Sequence, residues 1–130
     1  MRYHIQTADL IQSAGNKARG MGHSCVDSVH IYLALEAPIA REANPDKMCV
    51  MTVGKFQAGS AANIIPDTAV LEGTIRTNDP KQRQLLVRRM QEVALATAQV
   101  YGGTAQVTLT SDVPPLICGK EFTQDIVSYI

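Results

Sequence analysis

Residues 68–103 constrain this chain more tightly than any other stretch. TAVLEGTIR, Thr68 to Arg76, alternates Ala69, Leu71, Gly73 and Ile75 with Val70, Glu72, Thr74 and Arg76. That is the period of a strand with one face in a core and one polar face. Just beyond it comes a helix with both ends marked. Asp79 is its expected N-cap, Pro80 its first helical residue, Gln82 the partner in a capping box, and Gly102-Gly103 its stop. Between these marks Leu86, Met90, Val93, Thr97 and Val100 recur at helical spacing and are expected to form the core stripe. A one-faced strand and a one-striped helix bury their apolar sides by packing on each other, which makes a layered α+β fold.

The remaining elements follow by the same reading. RYHIQT, Arg2 to Thr7, alternates Tyr3, Ile5 and Thr7 against Arg2, His4 and Gln6 and reads as a half-buried strand. Residues 8–14 could form a helical turn or two, and GNKARGMGHS, with its three glycines, reads as a loop. From Asp27, placed to cap a helix, the spacing Val29, Leu33, Ala37 or Tyr32, Leu35, Ile39 predicts a first helix, bent by Pro38 and ending near Glu42. After the turn Asn44-Pro45-Asp46, MCVMTVGKF is apolar enough to suggest an interior strand. A last strand, TAQVTLT, is expected to bury Ala105, Val107 and Leu109. The order β-α-β-β-α-β predicts a two-layer, open-faced sandwich of ferredoxin-like type. Both helices would cover one face of a four-stranded antiparallel sheet, leaving the other face open.

Composition narrows the function classes. Twelve basic and 12 acidic residues in 130 give no net charge, and only 5% of residues are aromatic. RNA-recognition modules share this element order but need aromatics on their middle strands and a basic face, so nucleic acid is disfavoured as a partner. Three cysteines, Cys25, Cys49 and Cys118, are odd in number and form no C-x-x-C pair, which suits a reducing, cytoplasmic setting. No apolar run reaches a membrane span of roughly 18 residues, and the N-terminal sequence lacks the basic-then-apolar order of a signal peptide. GHSCV lacks the final glycine of a nucleophile elbow. His23, Cys25, Asp27 and His30 show no standard zinc spacing.

The block G-x-x-x-x-G-x-A-x-N-I-I-P-D-x-x-x-L-x-G-T-I-R, Gly54 to Arg76, follows IAREANP and precedes the long helix and PPL. It resembles the dimerisation (lid) domain of the aminoacylase and carboxypeptidase family of metal-dependent amidohydrolases, most closely the branch acting on N-acyl amino acids and hippurate. The resemblance runs from about Val26 to Leu116. It implies a domain inserted in a larger catalytic domain that is not in this sequence and that binds two divalent metal ions, zinc, manganese or similar. It also implies a homodimer formed through the first helix and an edge strand. By that likeness Asn63 and Arg76 bind the carboxylate or amide of a small N-acyl amino acid or peptide substrate.

The residue types suit the role. Arg76 offers a planar fork for a carboxylate and Asn63 both a donor and an acceptor. The plainer alternative is a turn-stabilising Asn63 and a solvated Arg76 paired with Glu72. The family also carries a Gly-His whose imidazole reaches across the dimer to stabilise an oxyanion, and GMGHS suggests His23 as that catalytic residue. Family spacing would instead place the histidine at position 18, which is alanine, so His23 stays open between that role and a solvated loop residue.

On this reading residues 1–112 form the dimerisation domain, with 1–25 atypical, and 113–130 begin the returning catalytic domain. The chain alone would be inactive. The competing reading is an independent small-molecule-binding or dimerisation module that never had a catalytic half.

Overall fold

The computed structural model describes residues 1–9, 24–113 and 119–128. Its elements are β1 (Arg2–Asp9), α1 (Ser24–Ala34), β2 (Cys49–Ala58), β3 (Thr68–Thr77), α2 (Pro80–Val100), β4 (Gly103–Ser111) and α3 (Lys120–Ser128). The strands form one antiparallel sheet in the order β2-β3-β1-β4. With α1 and α2 on one face, this is the expected open-faced sandwich. The readings of residues 10–23, His23 among them, fall outside the described residues.

The core forms where the alternations predicted. Tyr3 and Ile5 of β1 and Leu71 and Ile75 of β3 are buried against Ile31 and Leu35 of the first helical segment and Leu86, Met90, Ala94 and Ala98 of α2. Thr7 is buried as expected, its hydroxyl 2.7 Å from that of Ser28, which ties β1 to α1. The Tyr3 ring passes over Gly73. A Cβ at residue 73 would lie 2.2 Å from the Thr52 carbonyl oxygen and 2.4 Å from the ring's Cζ and hydroxyl. Only glycine admits this approach, and the Tyr3 hydroxyl then donates to the Thr52 carbonyl at 3.2 Å. Burial, aided by the nearby charge of Glu36, pushes the phenol up to about 12, so the donor stays protonated.

Several local expectations change. β2 is an edge strand, not an interior one. It also carries a bulge, since Val53 pairs with Gly73 and Lys55 with Glu72, leaving Gly54 between them. The helix start lies at Ser24, so Asp27 is not a cap; it sits inside α1 and is buried with Ser28, Ile31 and Leu35. Val29, Tyr32 and Leu33 accordingly face outward. Pro38 does disrupt the helix, opening a π turn, Pro38–Glu42, that ends where expected.

In α2 the buried stripe runs through alanines, while Val93 and Thr97 are half-buried and Val100 is 77% exposed. Leu109 of β4 is 40% exposed, lining an open hollow with Pro80, Arg83 and Val87 of α2 instead of being covered by them. The Asp79 carboxylate caps α2 by accepting from the amides of Lys81 (2.8 Å) and Gln82 (3.1 Å). The box is not closed by Gln82, however. Thr77 Oγ1 accepts from the Asp79 amide, and Gln82 Oε1 accepts from the Asn44 amide, both at close range (3.1 and 3.0 Å). Glu42 is gripped by both Nε (2.6 Å) and Nη2 (2.8 Å) of Arg89, which pins the π turn to α2.

Two outcomes follow from this packing. Gly73→Ala should destabilise the fold by about 3 kcal/mol or more, because neither the β2 backbone nor a buried tyrosine can give way cheaply. Urea unfolding measures it, and a loss under about 1 kcal/mol would show that the ring is not seated there. The second concerns acid. Backbone amide bonds from Gln82 and Lys81 hold Asp79 below the ordinary carboxylate range, and the Arg89 hydrogen bond does the same for Glu42. A depressed folded-state pKa means fewer bound protons than in the unfolded chain. Stability is therefore full above the ordinary carboxylate range and drains away as pH falls through the depressed values. Urea midpoints should drop below about pH 4, and less steeply in Asp79→Asn, which keeps a cap oxygen but cannot titrate. An identical acid slope in both proteins would contradict the assignment.

Candidate functional site

The β2–β3 hairpin carries both candidate substrate residues, one at each end. Gly59 takes a left-handed φ of +71°, and Pro66 closes over it, its Cγ 3.7 Å from where a Cβ on Gly59 would stand. The loop between them turns with the Ile64 amide donating to the Ala61 carbonyl at 3.3 Å. It presents Asn63, Ile64 and Ile65 to solvent. Arg76 lies near the far end of β3, opposite Val50, exposed and on the open sheet face.

Glu72, the partner of the plainer alternative, is engaged elsewhere, while Arg76 is solvated as that alternative expects. Glu72 is engaged by Lys55 Nζ at 2.9 Å from β2 and approached by His4 Nδ1 at 3.8 Å from β1. The Lys55 hydrogen bond holds its carboxyl below the usual range. Among the described residues Arg76 makes no ion pair. Its guanidinium is thus available to a ligand.

Asn63 and Arg76 are not brought together within one chain. Strand rise of roughly 3.3 Å per residue from Thr68 to Arg76 separates the two hairpin ends by about 26 Å. A small substrate cannot bridge that span. The candidate catalytic residue, His23, lies outside the described residues. Among the described residues no group of three His, Cys, Asp or Glu side chains converges as a metal site. Likewise, among them, no helix is long and apolar enough to cross a membrane.

The resemblance implies a dimer surface on the first helix and an edge strand, and the described residues show what those elements expose. Val26, Val29, Tyr32 and Leu33 are exposed along α1, with Leu33 at 60%. The layer places α2 over β4 and β3, and α1 over β3 and β1, so α1 is the helix on the β2 side. The edge strand on that side exposes Phe56 on the helix face and Val50, opposite Arg76, on the open face, with Met48 just before it. Besides the resemblance, the sequence carries a second signal in the surplus of apolar residues in α1, enough for two stripes where one helix face needs a single one. An edge of unpaired backbone beside an exposed apolar helix face is a surface fit for pairing with a like surface.

Comparison with known proteins bears on that surface. Residues 7–102 match the family model described as a peptidase dimerisation domain. N-acetyl-L-cysteine deacetylase of Bacillus subtilis (strain 168) is 34% identical over 102 residues, 78% of this chain and 24% of that protein. An uncharacterised hydrolase, y4tI, of Sinorhizobium fredii is 36% identical over 116 residues, 85% of this chain and 29% of that protein. The chain therefore spans less than a third of the curated relatives it matches. Among solved structures, the Bacillus subtilis YXEP protein, a dinuclear metal-binding peptidase of the M20 family, superposes with a TM-score of 0.66 at 26% identity. The match covers 87% of this chain and 26% of that one. The aminobenzoyl-glutamate utilisation protein of Klebsiella pneumoniae has the same fold, with a TM-score of 0.78 at 19% identity over 95% of this chain and 30% of that one.

Proposed function

The chain belongs to the peptidase dimerisation domain family, and from that premise we propose that it pairs with a second copy of itself through β2 and α1. In the pair it contributes substrate contacts to a metal-dependent amidohydrolase acting on N-acyl amino acids or similar amides. The observation that carries this reading is the β2 edge, unpaired among the described residues, on the same side of the layer as the exposed apolar face of α1. A two-fold axis beside β2 would pair the two edges antiparallel into one eight-stranded sheet, with α1 meeting its symmetry mate above it. An independent small-molecule module is the less favoured reading, because the match covers the fold from β1 to α2.

The same symmetry supports a role for the two substrate residues. Antiparallel pairing sets the Ala58 end of one β2 against the Cys49 end of its mate. Arg76 sits one strand in from that end, opposite Val50. The Asn63 loop of one copy would thus lie roughly 10 Å from the Arg76 of the other, two strand spacings away. Residues about 26 Å apart within a chain would become neighbours across the dimer. Arg76 would clamp the substrate carboxylate through two parallel N–H donors, and Asn63 would fix the amide with a donor and an acceptor.

The dinuclear metal centre described for the YXEP protein would come from a catalytic domain outside this chain. It would supply Lewis-acid activation of the amide, and the present residues would bind and orient the substrate. Residues 113–130, with α3, would begin that returning domain, and His23 would serve as the oxyanion donor. Without the catalytic domain the chain should not hydrolyse N-acyl amino acids.

Two measurements test this. Sedimentation should show a dimer whose dissociation constant rises at least about a hundredfold in Leu33→Glu, with unfolding unchanged where both proteins are monomeric because Leu33 is exposed in the single chain; a monomer at all concentrations in the unsubstituted chain would refute the interface. In the intact enzyme, Arg76→Lys should raise KM for a carboxylate substrate about ten- to a hundred-and-fifty-fold. For the matching substrate amide the two enzymes should differ little, and a parallel loss on both substrates would make Arg76 structural.

A further inference from the structure

The open sheet face holds a second polar cluster, distinct from Arg76 and Asn63. Strand register puts Arg2 and His4 of β1, Lys55 of β2 and Glu72 of β3 on that face. The bulge at Gly54 is what brings Lys55 there. With unbroken pairing Gly54 would stand opposite Glu72, and Lys55 would point into the helix layer.

Around these side chains lies an open depression of about 450 Å³, also lined by the three threonines Thr52, Thr74 and Thr110. Arg76 does not line it, and lies about 13 Å from Glu72 along β3 at normal strand rise.

Charge on this face is segregated. The chain as a whole has 12 basic and 12 acidic residues. Yet among the described strand residues of the open face Arg2, Lys55 and Arg76 are basic and Glu72 alone is acidic. Lys55 and His4 both approach the same oxygen of Glu72, Oε1. Glu72 thereby acts as a tether, holding the two nitrogens over the depression. Arg2 and Lys55 against one carboxylate leave a net positive hollow, and the threonine rim adds hydroxyl donors.

We propose that this depression is a binding site for a small dianion, held through its carboxylate or phosphate oxygens by Arg2 and Lys55 with the threonine hydroxyls. The two sources of that chemistry, a dicarboxylate and a phosphate, are separable with succinate and inorganic phosphate as probes. The proposal does not depend on dimer formation or on the substrate roles of Asn63 and Arg76.

Titration of the ¹⁵N-labelled chain with each probe, followed by amide shifts against chloride at matched ionic strength, provides the test. Saturable shifts are expected at Thr52, Lys55, Glu72 and Thr74 with at least one probe, and the tighter of the two names the source. Lys55→Gln and Arg2→Gln should each weaken binding about tenfold, as loss of a charge-assisted bond does. Glu72→Gln removes the opposing charge and should tighten it about two- to fivefold. Shifts no larger than those of chloride for both probes would overturn the proposal. So would binding unchanged in both cation variants, or weaker binding in Glu72→Gln.

Discussion

The Tyr3 ring lies against β3 because residue 73 has no Cβ, and this close approach sets the geometry of three strands at once. The ring fills the space under β3, and its hydroxyl reaches across to the Thr52 carbonyl of β2. β1, β3 and β2 are thereby locked in one register. A slip of one residue would turn every side chain of a strand to the wrong layer. The same register keeps Leu71 and Ile75 in the core and sends Glu72, Thr74 and Arg76 to the open face. The arrangement of the sheet's polar face depends on an apolar contact made on its other side.

The edge position of β2 follows from the same pairing. β3 has β1 on one side and β2 on the other, and nothing described pairs with the outer side of β2. Natural monomers blunt such edges, and the bulge at Gly54 does so only in part. Beside it α1 exposes Val29 and Leu33 instead of burying them. In the proposed dimer these two features would belong together, as the strand and helix parts of one self-complementary surface. They would also account for the proposed substrate residues, Asn63 and Arg76, lying at opposite ends of a hairpin, because a two-fold axis reverses one hairpin against the other.

Much of this was legible in the chain. The alternation of β1 and β3, the Asp79-Pro80 start and the Gly102 stop of α2 are local signals, and each stood where expected. The misreadings lay where local signals compete or where distant pairing decides. α1 offers two apolar stripes, and the buried face is the one containing polar Asp27 and Ser28, which periodicity scores as outside. Thr7 is what makes Ser28 suitable there, and it is far away in sequence. β2 looked interior because its composition is apolar; its edge position depends on strand order, which no local pattern encodes. Gln82 could have closed the capping box, but Thr77 and Asn44 offered better-placed partners. Val100 ends α2 and Leu109 borders an open hollow beside the first turns of that helix, so apolar character alone did not bury them. For the candidate site, the residue types at 63 and 76 were readable, while their separation required the strand direction.

The account turns on whether Asn63 of one chain lies beside Arg76 of another. Mixed dimers can be made from a ¹⁵N-labelled chain and an unlabelled chain carrying a nitroxide at position 63, in a background with the native cysteines replaced. Paramagnetic broadening then reports contacts between copies alone. Broadening centred on the labelled chain's amides at Val50 and at 75–77 is the predicted result, since antiparallel β2 pairing brings the spin label to that end. Broadening centred instead on the labelled chain's own 59–67 loop, or none at concentrations where the dimer forms, would contradict it.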